Sequence, residues 1–166
     1  RNSDGSVISD DIVLNDITYQ QALEYDFGIY KGSEYAGEKI PTFEQFIIAC
    51  RNYNLHPYIE LKGRNSDEIK IQALVDTVHK YGMERNVTWT SFNRSELLYV
   101  RNHDANARLI MLASNQYLSY AFTWAESLKS KKGLVGLCLI SADITEDFVA
   151  ECKERGFQLE IGRAHV

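Results

Sequence analysis

No stretch of this 166-residue chain is apolar for long enough to cross a bilayer. The longest apolar run, residues 134–140, falls far short of the roughly 20 residues that a membrane helix needs. Cysteine is scarce as well: Cys50, Cys138 and Cys152 are odd in number and widely spaced, with no CxxC pair. That spacing argues against a zinc site and against a disulfide framework, and predicts buried free thiols. Positive charge is limited. The net charge is −5, and the one basic cluster, Lys129, Lys131 and Lys132, is too small for the electrostatic footprint of a nucleic-acid binder. It is read as the end of a helix, where cations face the negative pole of the macrodipole. Repeats and low-complexity segments are absent. The chain begins at Arg1 rather than Met, so the lack of a leader says nothing about where the protein works.

The composition that remains, 45% hydrophobic and 25% charged, is that of a globular chain able to bury a sizeable core. From Pro57 onward, short β-rich runs alternate with amphipathic stretches, the pattern of βα units and a parallel sheet. Strands are expected at 58–61, 87–92, 109–113, 134–140 and 157–160. Their starts lie 20 to 30 residues apart, about the length of a strand, a helix and two short loops.

The helices between them carry their own start and stop signals. Thr42, after Pro41, can cap a helix while Gln45 reaches back, and Phe43, Phe46, Ile47 and Cys50 then share one face. Ser66 with Asp67 and Glu68 opens a second helix, with Ile71, Leu74, Val75 and Val78 as its stripe and Gly82 as its left-handed end. Asn93 with Glu96 opens a third. A fourth runs from about Gln116 to Lys129 around Ala121, Phe122 and Leu128, and a fifth from near Thr145 to Arg155 before Gly156.

Residues 1–40 read differently. Asn2, Ser3, Asp4 and Gly5 make a turn, 17–25 a short helix and 28–37 an aromatic-rich loop, so this part is expected to be an inserted region. At the other end the apolar pattern stops after Glu160. Residues 161–166 are expected to be a non-native read-through tail.

The most informative stretch is LHPYIELKG, residues 55–63, in which Glu60 and Lys62 alternate with Ile59 and Leu61. A period of two puts both charged side chains on one face of a strand, at its carboxyl end. Such a pair suits a Glu–Lys ion pair or a solvated strand end as well as a site for metal or substrate. Position alone leaves these open.

The longer string GEKIPTFEQFIIACRNYNLHPYIELKG resembles the stretch of glycerophosphodiester phosphodiesterases in which an "IPTLEE" helix start precedes a strand ending in "ElK". DITYQQALEYDFG is similar to the family's "lTleEl…D.G" segment, and NVTWTSFN to its fifth-strand "SF" pattern. The resemblance runs from Arg1 to Leu159. It implies an α/β fold of partial (β/α)8 TIM-barrel type, about the last five strands in parallel sequential order, with residues 1–160 as the barrel domain. It also implies that Glu60 is a ligand of a divalent metal, Ca or Mg, and that Lys62 binds the substrate phosphate. Ser91 and Phe92 match the next strand's motif and are read as structural.

The implied activity is the metal-assisted hydrolysis of glycerophosphodiesters to glycerol 3-phosphate and an alcohol. Small-molecule glycerophosphodiesters are then the partners, with no nucleic acid and no transmembrane segment. The family's paired catalytic histidines, in its "HRG" and "HD" motifs, have no match here, so no catalytic residue is assigned within this chain and the fragment itself is expected to be inactive. His103–Asp104 imitates "HD" but follows a helix; His56 and His79 are read as structural, and His165 as part of the tail. Two other readings are a non-catalytic phosphodiester-binding barrel and a sphingomyelinase D-like phospholipase.

Overall fold

The structure, a computed structural model, describes residues 1–2, 4–8, 12–62, 67–114 and 118–162. The expectations for Ser3, Gly63, Ser66 and Gln116, and for the tail after Gly162, lie outside the described residues. The chain divides into two compact units, residues 1–46 and 47–166, with the boundary inside helix α2 (Phe43–Asn52).

The first unit is built around turns rather than long elements. Among the described residues its one α-helix before α2 is α1 (Tyr19–Ala22), shorter than the expected 17–25. Thr18 and Gln21 close a reciprocal capping box at its start. Beyond Ala22 the chain closes i→i+3 bonds, Glu24 N–H to the Gln21 carbonyl and Tyr25 N–H to that of Ala22, and leaves the helix. The next residue, Asp26, is buried and organises the loop that follows. Its Oδ1 accepts from the Gly28 and Ile29 amides at 2.9 Å each, and its Oδ2 accepts from Gly37 N at 2.7 Å. Three amide donors hold the Asp26 carboxyl below the usual carboxylate range, most strongly through the Ile29 amide. At the start of α2, Thr42 and Gln45 exchange side-chain to backbone bonds as the sequence predicts.

The second unit holds one parallel sheet of five strands: β1 (Tyr58–Glu60), β2 (Thr88–Ser91), β3 (Arg108–Leu112), β4 (Val135–Ile140) and β5 (Gln158–Gly162). The spatial order is β1-β2-β3-β4-β5, the order of the sequence, and every pairing is parallel. Between the strands run α3 (Glu68–Lys80), α4 (Arg94–His103), α5 (Leu118–Ser127) and α6 (Glu146–Glu154). A doubly wound sheet would reverse direction around its first strand, and this one does not. The β5 ladder continues through Ile161 and Gly162, which pair with Leu139 and Ile140.

The register sorts side chains onto two faces. Ile59, Trp89, Leu109 and Val135 form one row across four strands, and Met111 and Leu137 continue that face. All six are buried, as are Ile71, Val75 and Val78 of α3, Leu97 and Val100 of α4, and Ala121 and Ala125 of α5. The opposite face carries Tyr58, Glu60, Arg108, Gln158 and Glu160. Here Tyr58 Oη donates to Glu160 Oε1 at 3.0 Å, joining the first strand to the last. In a flat sheet with strands about 4.8 Å apart, β1 and β5 would be about 19 Å apart, farther than these two side chains can bridge. The sheet therefore curls with this face inward, as barrel strands must.

Below the strands, Arg101 is buried and fastens four segments. Its Nε donates to the Leu128 carbonyl at 2.9 Å, and its Nη1 to those of Ala105 and Ala107 at 3.0 and 2.9 Å. Nη2 reaches the Leu134 carbonyl at 3.4 Å. Burial lowers the guanidinium's pKa, with the charge of Asp104 opposing. All three cysteines are free; Cys50 and Cys152 are buried, and Cys138 is half-buried.

Candidate functional site

Glu60 is the last residue of β1, and Lys62 lies two residues on, past the buried Leu61. Period two puts both on the inward face, and the Lys62 ammonium stands 4.0 Å from Glu60 Oε1. Their side chains are 81% and 40% exposed, so the pair is solvated and worth at most about 1 kcal/mol. An ion pair this weak leaves both groups free to meet another partner.

Both border a cleft of about 450 Å³ at the carboxyl ends of the strands. Its apolar wall comes from Phe92, Leu112, Ala113 and Ile140, with Cys138 among them. Phe92 follows β2 directly and is 58% exposed. The Cys138 thiol has its pKa pushed up, first by burial and then by the charge of Glu160, which keeps it a thiol rather than a nucleophilic thiolate. A second hollow of about 230 Å³ adjoins the first, between Glu60, Lys62, Ser91, Asn93 and Glu96.

The sequence reading placed Glu60 and Lys62 here; it did not place Phe92, Cys138 or Glu96. Cys138 was within reach of it, since alternation along β4 sets Gly136, Cys138 and Ile140 on one face. Glu96 was read, with Asn93, only as a sign that a helix opens there. Asn93 does cap α4 by accepting from Ser95 N, but Glu96 turns inward, 2% exposed, and meets Ser91. Only burial reveals that partner.

Among the described residues no histidine lines either hollow. His56 Nε2 lies 2.8 Å from Thr88 Oγ1 at the amino ends of β1 and β2. His79 on α3 meets Asp104 at 3.2 Å, and His103, the last residue of α4 rather than part of the loop after it, stands 3.5 Å from Glu68. A divalent cation of the hard class takes six or more oxygens, several from carboxylates or water. Glu60 offers a solvent-facing carboxylate suited to one such position. Among the described residues no three His, Cys, Asp or Glu side chains gather to hold an ion. The described residues fit a metal as the donor of one ligand.

The model of the glycerophosphoryl diester phosphodiesterase family matches residues 2–161. Among solved structures, a phosphodiesterase from Oleispira antarctica, in complex with the product sn-glycerol-3-phosphate, superposes with a TM-score of 0.73 at 18% identity. The match covers 99% of this chain and 70% of that one. A glycerophosphodiester phosphodiesterase from Parabacteroides distasonis gives 0.68 at 18% identity, over 96% and 65% of the two chains. A Galdieria sulphuraria protein assigned by name to the same enzyme class gives 0.72 at 21%, over 90% and 57%. The chain thus spans between 57% and 70% of the length of these solved relatives. No curated protein matches the sequence. The superpositions show the fold: the five strands and their helices are part of a (β/α)8 barrel.

Proposed function

Because the chain belongs to the glycerophosphoryl diester phosphodiesterase family, we propose that its cleft is part of a site that hydrolyses glycerophosphodiesters to glycerol 3-phosphate and an alcohol. The observation that carries this reading is the placement of Glu60 and Lys62 on one face, 4.0 Å apart, at the carboxyl end of a barrel strand. Active sites of such barrels lie at that end. The product seen in the Oleispira antarctica relative is of the class that this pair would serve.

In this reading Lys62 holds a non-bridging phosphate oxygen as a compact point charge. Glu60 supplies one oxygen to a divalent cation, Ca or Mg. The cation, when bound, offsets the negative charge that builds on the phosphate. Phe92 and the apolar wall keep water from the flank of the bound ester.

Hydrolysis also needs one group to take a proton from the attacking hydroxyl and another to give one to the leaving alcohol. Among the described residues no histidine lines the cleft, and Glu60 is assigned to metal. The acid and base would be the family's paired histidines, in the part of the relatives that this chain does not span. Each such group contributes roughly 10²- to 10⁴-fold, so the 166-residue polypeptide alone should not turn over substrate.

Incubation with glycerophosphocholine and Ca²⁺ or Mg²⁺ tests this: no glycerol 3-phosphate above a protein-free control is expected. The full-length protein that carries this chain should release it. Release by the 166 residues alone would overturn the assignment of the acid and base. A full-length protein that binds glycerol 3-phosphate without cleaving any diester would favour a phosphodiester-binding module instead.

A further inference from the structure

Behind Lys62, on the helix side of the sheet, Ser91 and Glu96 form a buried pair that the chemistry above does not use. Ser91 is the last residue of β2 and is 1% exposed; Glu96 is in the first turn of α4. Ser91 Oγ contacts Glu96 Oε2 at 2.5 Å and the Leu61 carbonyl at 3.1 Å, and accepts from Asn93 N–H at 2.9 Å. The Leu61 carbonyl belongs to the peptide that leads into Lys62. Pairing of β1 with β2 ends at Glu60 with Thr90, followed by Leu61 N–H donating to the Thr90 carbonyl at 2.8 Å. The Ser91 hydroxyl is thus the contact that carries the tie between the strands one peptide further, to the base of Lys62.

A buried carboxyl is costly without a partner. The hydrogen bond recorded for Glu96 is to this hydroxyl, and both residues border the same hollow as Lys62. A hydroxyl has one proton to give, so Glu96 and the Leu61 carbonyl share it. Glu96 sets the orientation of Ser91, and Ser91 in turn sets the peptide that aims Lys62.

We propose that Ser91 and Glu96 are positioning residues for Lys62, fixing the 61–62 peptide so that the ammonium is aimed at the substrate phosphate. The proposal rests on the reading of Lys62 as a phosphate ligand. Outer residues of this kind typically change activity by about 10- to 100-fold when removed.

The test is a double-mutant cycle in the full-length protein, read as kcat and KM for glycerophosphocholine, with the Kd for sn-glycerol 3-phosphate measured in parallel. Ser91→Ala should lower kcat/KM by about 10- to 100-fold in the wild-type background. It should cost little more once Lys62→Met has been made, because the two act through one contact. Ser91→Thr should recover most of the loss. Glu96→Gln, whose amide can donate to Ser91 Oγ and release its proton to the Leu61 carbonyl, should retain activity that Glu96→Leu loses.

A Ser91→Ala loss of equal size with and without Lys62 would show a merely structural role and overturn the proposal, as would no loss at all. If Ser91→Ala fails to fold, the contrast between Glu96→Gln and Glu96→Leu decides, and equal effects of the two overturn it. Lys62→Met with unchanged Kd and kcat/KM would instead sink the reading of the site. In that case hydrogen exchange still judges the pair: unaltered protection of the 59–62 segment in Ser91→Ala would overturn the positioning role too.

Discussion

Asp26 shows how one side chain can be both legible and illegible in a sequence. Its place in YDFG marks a turn, since Asp and Gly favour such conformations, but the three amides it gathers, from Gly28, Ile29 and Gly37, come from two parts of a loop. Their combined pull lowers its pKa in the folded chain. A carboxyl with a depressed folded pKa contributes stability that is fully present above its unfolded value, about 3.9, and is lost as pH falls through the folded value. Acidification below about pH 4 should therefore open the 26–37 loop, seen as faster exchange of the Gly28, Ile29 and Gly37 amides. Asp26→Asn should remove that acid limb and leave the loop open across the whole range. An unchanged acid limb in Asp26→Asn would assign it to another group.

At the scale of elements, strands and caps were the most legible. The expected strands 58–61, 87–92, 109–113, 134–140 and 157–160 fall on β1 to β5 within one or two residues at each end. Thr42, Asn93 and Thr145 cap the helices as their sequence contexts suggest, α3 is capped by Asp67, one residue after the expected opener Ser66, and Gly82 and Gly156 take positive φ at the ends of α3 and α6. The failures have a common cause. Phe46 and Leu74 sit on the predicted apolar faces yet remain 40% exposed and half-buried respectively, because periodicity gives the direction of a side chain and not what covers it.

The Asn93 amide donates to Ser91 Oγ, and Glu96 meets that same hydroxyl instead of reaching back to the amide. Gly136 is a further position that pattern alone does not explain. A Cβ there would lie 2.6 Å from the Gln158 carbonyl oxygen and 2.7 Å from Ile110 Cδ1. Gly136→Ala should thus force β4 away from β5 and cost about 1 to 3 kcal/mol, as overpacking does. Urea denaturation checks this; a midpoint equal to that of the native chain would mean that the strands have room to spare.

For the whole molecule, the sheet has two free edges among the described residues, one side of β1 and one side of β5. In a closed barrel neither would exist, because closure removes edges. Unpaired edges and an inward face that exposes Tyr58 and Ile140 predict that the isolated 166-residue chain self-associates. Sedimentation velocity across a concentration series should show a rising average mass, and a concentration-independent monomer would show that these edges are protected in a way the strand order does not reveal.

The barrel class was readable from sequence because βα spacing and the IPT and ELK strings reinforce one another. The site was readable only in part. Two of its charged residues lie on one strand, where period two exposes them together, whereas Phe92 and Cys138 join them only through the alignment of separate strands.

On the proposed reading, Glu60 gives an oxygen to the metal that serves the phosphate held by Lys62. The divalent-cation dependence of glycerophosphocholine hydrolysis by the full-length protein, compared with its Glu60→Gln variant, tests it most directly. Gln keeps the shape and removes the charge, so an intact fold and a cation requirement raised by about tenfold or more are expected. An activation curve that does not move on Glu60→Gln would contradict it.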